Sequence, residues 1–479
     1  MQTTDKRLET ACGEGGTVGR ATRNGFRPPA VAATMDFDMR AFAAGLCEIA
    51  STAGNEAAAA DFVERRLDDL GFETVAWDAD PELLADHPSF PDDLDTDDVA
   101  GRRSVAGVLA LGGADLGNDA DESAADDTPT VVLNGHIDVV PAEPAEWTSD
   151  PFEPVWETTE EGDETLTARG AADMKSGVAA CVGAALDVRE RVERGDIDLR
   201  DPGLRVVVEA VAGEEDGGYG AATAALANPY GFERDAAIVA EPTELRPVVA
   251  CEGSLMARLE LTGRSAHAAT RWLGEDVLPR FEAIRGAFTD LEAERGETVT
   301  HPLYEAFPVP WPVVCGTVDA GSWASTVPAT LTAEFRIGVA PGETVDEVEA
   351  QFRSRLDEIV AADPWLREHP PTFERFSVQF EPAEIAVDES IVTAARAGLV
   401  DAGVPDAEPT GATYGADSRH YVAVGIPTVI LGPGSIAEAH YPDETIAWSD
   451  VERSRDAIAS AVGRFAAGYA APSSGDSSK

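Results

Sequence analysis

Apolar positions along the chain change texture twice. From Asp38 they recur at helical spacing: Phe42, Leu46 and Ile49, then Phe62–Val63, Leu67 and Leu70, closed by Gly71. Thr74–Trp77 then reads as a strand. Between 130 and 240, short apolar runs alternate with Ala-rich segments, which predicts strands over 130–134, 204–211 and 236–240 and helices over 177–192 and 220–227. Such alternation implies a mostly parallel sheet with helices on both faces. After Glu241 the texture changes. Ser254–Thr262 alternates like a half-exposed strand, followed by a helix at 276–292, strands near 313–318 and 329–337, a helix at 344–361 and a strand at 373–381. Two helices with about four strands make an α+β insert over 249–382. A helix at 388–402 and a strand at 427–431 return the chain to its first domain, which thus has two parts, 35–248 and 383–471.

The remaining segments lack periodicity. Residues 1–34 are Gly/Thr-rich and read as a disordered extension ahead of Met35, and 472–479 as a disordered tail. Residues 78–98 and 112–128 are acidic and read as solvated insertions, with calcium-binding loops as the alternative.

The apolar runs end in chemistry. Val131–Val–Leu–Asn–Gly–His136–Ile–Asp138 is one case, and Arg169–Gly–Ala–Ala–Asp173 another. Strand 204–211 leads into Gly213–Glu214–Glu215, strand 236–240 into Glu241–Pro–Thr, and strand 427–431 is followed by His440. In a sheet of this type, sites lie at the carboxyl ends of the strands. His136, Asp173, Glu215, Glu241 and His440 form a hard-to-borderline donor set suited to two divalent cations, Zn²⁺ most naturally, with Co²⁺ and Mn²⁺ as alternatives. Glu214, next to a ligand Glu, supplies a base for the attacking water. Asp173 also has a plainer reading, as a helix N-cap ahead of Ser176–Gly177.

Charge narrows the partners. Lys and Arg number 36 against 88 Asp and Glu, a net charge of −52. A polyanion of this kind is repelled by nucleic acid and by anionic membrane surfaces. Only Lys6, Lys175 and Lys479 are lysine; the other bases are arginine. An acidic, lysine-poor chain resembles proteins of a high-salt cytoplasm, where salt screens self-repulsion. Cys12, Cys47, Cys181, Cys251 and Cys315 are odd in number and scattered, without a CxxC pair, which points to a reducing, cytoplasmic compartment. No apolar run reaches the roughly 18 residues of a membrane span, and 1–34 lacks the apolar segment of a secretory signal.

Over about 38–470 the chain resembles the acetylornithine deacetylase / succinyl-diaminopimelate desuccinylase / carboxypeptidase G family of co-catalytic zinc amidohydrolases. The carriers are Gly135–His136–Ile–Asp138, Gly170–Ala–Ala–Asp173–Met–Lys–Ser–Gly177, Gly213–Glu214–Glu215, Glu241–Pro–Thr243, Gly263–Arg–Ser–Ala–His267 and Leu431–Gly–Pro–Gly–Ser–Ile–Ala–Glu–Ala–His440–Tyr–Pro–Asp–Glu444. The resemblance implies an α/β fold: a zinc-exopeptidase-like mixed sheet with helices on both faces, plus an inserted α+β lid through which the chain forms a homodimer. It implies that Asp173 bridges two metals and is joined to Met174 by a cis peptide. His136 and Glu241 would complete one metal site, Glu215 and His440 the other. Asp138 would accept the second ring N–H of His136. His267 would donate to the oxyanion from the partner subunit. Arg336 would pair with a substrate carboxylate, or else form an ordinary sheet salt bridge. The segment Gly411–Arg419 would line the pocket. The chain departs from the family pattern at Ser325, at Arg271 where Pro is usual, and at Asp276 where Asn is usual, all near the expected substrate contacts.

The implied reaction is hydrolysis of the amide of an N-acyl amino acid, with acetylornithine first, because the segments Gly432–Ile436 and His440–Glu444 lie closest to that subgroup. The alternatives are a metallo-carboxypeptidase or dipeptidase acting on a short peptide, a deformylase of the same family, and a non-catalytic binding homologue. One outcome follows from charge alone. The melting temperature should rise between about 0.1 M and 3 M KCl as the screening length falls from roughly 10 Å to below 3 Å. A melting temperature that is unchanged across that range, read by circular dichroism, refutes the salt argument.

Overall fold

Seven consecutive residues, Thr130–His136, are all buried. A strand buried on both faces needs cover on both. The computed structural model describes residues 37–468 except 86, 91–95, 117–126, 161 and 406. The expectations for 1–34 and 472–479, and much of that for 112–128, therefore lie outside the described residues. The largest sheet has nine strands. Its order is β1 (Glu73–Asp78), β2 (Arg103–Leu111), β6 (Leu204–Val211), β3 (Thr130–His136), β7 (Ala236–Pro242), β15 (Thr428–Gly432), β8 (Val248–Cys251) and β13 (Ala383–Glu384), with β14 (Thr410–Ala412) beside β8.

The centre of this sheet, β6–β3–β7–β15, is parallel. Its flanks are antiparallel at β1 on β2, β2 on β6, β8 on β15 and β13 on β8, while β14 runs parallel to β8. The sheet is thus mixed, as the family resemblance implies, and the mostly parallel reading of the alternation holds for β6–β3–β7–β15 and for the β14–β8 pair. β1 matches the strand expected at Thr74–Trp77, whereas β2 was not expected, because Gly107 interrupts its apolar run. That glycine is required, since a Cβ there would lie 2.9 Å from the Phe72 side chain.

Alternation divides the strands between two cores. Val131 and Leu133 face one cluster with residues of helices Met39–Cys47, Ala57–Asp69, Ser176–Arg194, Ser390–Asp401 and Trp448–Gly468. Val132 and Val207 face the other, with Ala221 of helix Tyr219–Ala227 and Tyr421 of helix Ser418–Ala423. Helix Ser176–Arg194 sits so close to β7 that a Cβ on Gly177 would fall 2.3 Å from the Ala240 carbonyl oxygen. The small residues of this helix are therefore a packing requirement.

Between β8 and β13 the chain forms a second sheet of four antiparallel strands, in the order β10 (Val313–Ala320), β11 (Thr330–Val339), β9 (Gly253–Thr262) and β12 (Thr372–Arg375). Helices Leu278–Thr298 and Val345–Ala362 close one face around Phe288, which contacts Phe335, Phe352 and Phe373 edge-on. The second helix starts with a full capping box, Thr344 with Glu347. This is the α+β insert. The strand expected over 373–381 stops at Arg375, because Ser377 takes a positive φ of 58°. A third sheet, β16 (Thr445–Ala447), β5 (Glu164–Thr167) and β4 (Val155–Thr158), was not foreseen. Strands of three or four residues carry too little periodicity to be seen in sequence. This small sheet pairs Thr445 with Thr167 and so places the loop of His440 beside the turn of Asp173.

Candidate metal centre

The parallel strands deliver their ends to one edge of the sheet. His136 closes β3, the turn Gly213–Glu215 follows β6, Glu241 lies one residue before the end of β7, and the loop after β15 carries His440. Asp173 comes from the turn Ala171–Lys175, which starts after left-handed Gly170 (φ 84°) and departs from helical backbone at Asp173 and Met174. The Asp173–Met174 peptide is cis.

Asp173 lies between the two histidines. Its Oδ1 is 3.0 Å from His136 Nε2 and its Oδ2 3.5 Å from His440 Nε2. His136 Nε2 is 3.8 Å from Glu241 Oε1, and His440 Nε2 is 3.2 Å from Glu215 Oε2. Donor atoms of His136, Glu214 and Glu241 lie within 4.8 Å of one another, as do those of His136, Asp173 and Glu215. Glu214 is thus as near to His136 and Glu241 as a ligand would be, and distance alone does not separate it from the ligands.

Electrostatics shows what the cluster needs. Burial pushes the Glu214 and Glu241 carboxyls well up, and neighbouring carboxylates push further: Glu241 on Glu214, Asp173 on Glu241. Burial also raises Glu215, against its hydrogen bond with His440. Burial would lower the His136 imidazole, but Glu241 and Asp173 outweigh it and hold it well above its usual value. The hydrogen bond to Glu215 raises His440. Among the described residues, no Lys or Arg pairs with Asp173, Glu214, Glu215 or Glu241; their ion-pair partners are His136 and His440 alone. Four buried or half-buried carboxylates without a fixed cation are costly, and a bound divalent ion removes that cost. Carboxylate and imidazole donors are what a Zn²⁺-type ion takes. The residues present fit the group.

Two further carboxylates hold the turns. Asp138 is buried, and its oxygens accept from the backbone N–H groups of Gly213 (2.9 Å), Glu214 (3.2 Å) and Glu215 (3.0 Å). The expectation that this carboxylate takes the second ring N–H of His136 needs correction. His136 Nδ1 is 2.9 Å from the backbone carbonyl oxygen of Asp138 and 3.8 Å from its carboxylate. The carboxylate is already engaged by three amides, so the main chain orients the imidazole. Glu444 does for the Asp173 turn what Asp138 does for the Glu214 turn: it accepts from the amides of Gly170, Ala172 and Asp173 and from Arg169.

His267 and Arg336 lie elsewhere. His267 is exposed on the second sheet's unit, where its Nδ1 accepts from the Ala269 N–H (3.1 Å). The neutral ring therefore carries its proton on Nε2. No contact joins it to the cluster among the described residues. Arg336 on β11 pairs with buried Glu252 (2.9 Å) and donates to the Thr413 carbonyl (3.1 Å). This is a salt bridge linking the two large sheets, the plainer of its two readings.

Behind the Glu214 turn, Asp417 and Arg419 belong to the segment 411–419 expected to line the pocket, while sequence reasoning missed His420. Buried Arg419 and His420 both reach the Gly217 carbonyl oxygen, at 2.6 and 3.2 Å. Asp417, buried beside them, is pushed up to about 7 by burial. Their signal was the charged run Asp417–Ser–Arg–His420, too polar for a core helix unless it serves a site. Arg169 and Glu444 were legible only as motif letters.

The profile of peptidase family M20/M25/M40 matches residues 132–464. The acetylornithine deacetylase of Erwinia tasmaniensis is 26% identical over 371 residues, covering 77% of this chain and 85% of that protein. A probable carboxypeptidase of Aspergillus terreus is 30% identical over 342 residues, 69% of each chain. Among solved structures, the di-peptidase Dug1p of Saccharomyces cerevisiae aligns with a TM-score of 0.66 at 14% identity, over 90% of this chain and 96% of that one, a likeness of fold alone.

The amide cap on the Glu214 turn makes a direct prediction. Asp138→Asn turns one acceptor into a donor facing N–H groups. It should destabilise the metal-free protein by about 1–3 kcal/mol, the usual cost of leaving buried donors unpaired. Denaturant unfolding of the chelated variant at wild-type stability would show that these three hydrogen bonds do not hold the turn.

Proposed function

The chain belongs to peptidase family M20/M25/M40, a family of metal-dependent hydrolases, and from that premise we propose that it hydrolyses the amide bond of an N-acyl amino acid. The observation that carries the reading is Asp173, with one oxygen toward His136 and the other toward His440. We assign His136, Asp173 and Glu241 to one divalent ion and Asp173, Glu215 and His440 to the other. When bound, these ions, Zn²⁺ first with Co²⁺ or Mn²⁺ as alternatives, supply Lewis acidity toward the amide carbonyl and its attacking water.

The chain's own residues do the rest. Glu214 takes a proton from the water as its oxygen adds to the carbonyl carbon, then gives that proton to the leaving nitrogen as the C–N bond breaks. The products are a carboxylate and a free amine. Asp138 keeps Glu214 and Glu215 in place through the three amides of their turn. His267 Nε2–H is a donor suited to the developing oxyanion, and in this reading it acts on the partner subunit's site. The lid supports such a dimer. β10 is an edge strand whose Val314 and Val318 are half exposed, and Trp272 and Trp323 on the same unit are each 74% exposed. An apolar, unpaired edge of this kind is a template for strand pairing.

Acetylornithine leads the substrates because of the segments Gly432–Ile436 and His440–Glu444 and the deacetylase relative. The carboxypeptidase relative of similar identity supports the second reading, cleavage of a short peptide. The four described cysteines are free, which supports a reducing, cytoplasmic compartment.

A screen of N-acetyl, N-succinyl and N-formyl amino acids and dipeptides in molar KCl separates the substrates. Chelation should abolish turnover, and re-addition of Zn²⁺ or Co²⁺ should restore it. Glu214→Gln should keep metal and substrate binding and lose kcat by several orders of magnitude. A Glu214→Gln enzyme with near wild-type kcat would assign the base elsewhere.

The cross-subunit role has its own test. Inactive Glu214→Gln and inactive His267→Ala protomers, mixed, should regain activity, because each heterodimer holds one site with an intact base and an intact partner His267. Heterodimers that form and stay inactive would remove His267 from the mechanism.

A further inference from the structure

Glu444 is fully buried, and its carboxylate accepts hydrogen bonds from the segment 169–173. Its Oε1 accepts from Ala172 N–H (2.7 Å) and Asp173 N–H (3.0 Å). Its Oε2 accepts from Gly170 N–H (3.1 Å) and Arg169 Nη1 (2.7 Å). Arg169, also buried, donates onward to the carbonyls of Tyr441 (3.3 Å) and His440 (3.5 Å). One ion pair therefore grips the turn of Asp173 on one side and the backbone of His440 on the other. The two segments are far apart in sequence, and β5 and β16 bring them side by side just before Arg169 and just after Glu444.

Two physical points give the pair a purpose beyond folding. The amides of Gly170, Ala172 and Asp173 stand at the start of the Asp173 turn, where no preceding helical turn supplies acceptors. Glu444 is their acceptor. His440 in turn has a φ of 65°, a left-handed backbone unusual for a residue with a side chain, and its carbonyl is where Arg169 reaches. A buried ion pair is by itself weak support for stability, since apolar replacements often do as well.

We propose that Arg169 and Glu444 are positioning residues that hold Asp173 and His440 in mutual register, and so set the affinity of the centre for divalent cations. The inference rests on the two-cation reading above. Neither residue is a ligand in that reading; each acts through the backbone of one. Partners of this outer kind typically change metal affinity by about 10–100-fold when removed.

The test is calorimetric titration of chelated protein with Co²⁺ in molar KCl, with the visible absorption of the bound ion recorded alongside. Glu444→Gln should bind Co²⁺ about 10–100-fold more weakly, with an altered spectrum and kcat reduced more than KM is raised. Arg169→Met leaves the three amides paired to Glu444 but removes both the ion pair with Glu444 and the tether to 440–441. It should weaken binding less than Glu444→Gln, and it keeps the inference testable if Glu444→Gln fails to fold. The double variant should be no worse than the worse single one, because the two act as a unit. Wild-type affinity and an unchanged Co²⁺ spectrum in the folded variants would overturn the positioning role. Wild-type protein that binds no divalent ion would instead overturn the two-cation reading on which it rests.

Discussion

The centre depends on buried carboxylates accepting hydrogen bonds from the backbone of the turns next to them. Asp138 takes three amides from 213–215, and Glu444 takes three from 170–173. Without them the turns would have to hold like charges together on their own. Two carboxylates about 4 Å apart repel by roughly 4 kcal/mol at the effective dielectric near a protein surface. Hydrogen bonds to a charged group contribute about 1.5–3 kcal/mol each, so three per turn are of the right size to resist that repulsion. The strands set the direction of the side chains, and these caps set the distances between them.

The same contest runs through the whole chain on a coarser scale. A net charge of −52 favours expansion. Inside, arginine answers it locally: Arg102 pairs with Glu56 and Asp216, Arg295 with Glu343, and Arg280 with Glu275 and Asp363. Lysine has no such part. The only described lysine, Lys175, is buried with Nζ on the Ile49 carbonyl, and burial lowers it to about 8. The described surface therefore carries no ammonium group. Planar, weakly hydrated guanidinium is the better partner for closely spaced carboxylates.

The link between the sheets is also ionic. Arg336 on β11 holds Glu252 and the Thr413 carbonyl. Burial, only partly offset by Arg336, pushes the Glu252 carboxyl up to about 8. Arg336 thus satisfies a buried acid at the point where the chain crosses from the large sheet into the insert. Among the described residues, Glu252 has no other cation within ion-pair distance. His267, on the same insert, is exposed, and its ring accepts from the Ala269 N–H.

Much of this was legible before any coordinates. Apolar runs that alternate with Ala-rich segments specify strands and helices because period and burial are local properties, and the acids and histidines closing those runs sit at one edge because parallel strands end together. His136, Asp173, Glu214, Glu215, Glu241 and His440 were nameable on that ground. Strand β2 was hidden by Gly107, and the small sheet by the shortness of its strands. Tertiary structure alone decided that His136 is oriented by the Asp138 carbonyl rather than by its carboxylate. It alone decided that Arg336 is spent on Glu252, and that Arg169 and Glu444, 275 residues apart, meet. Each of these is a choice among hydrogen-bond partners distant in sequence. A pattern read along one chain carries the chemistry of a donor, but only packing determines which acceptor lies within about 3 Å of it.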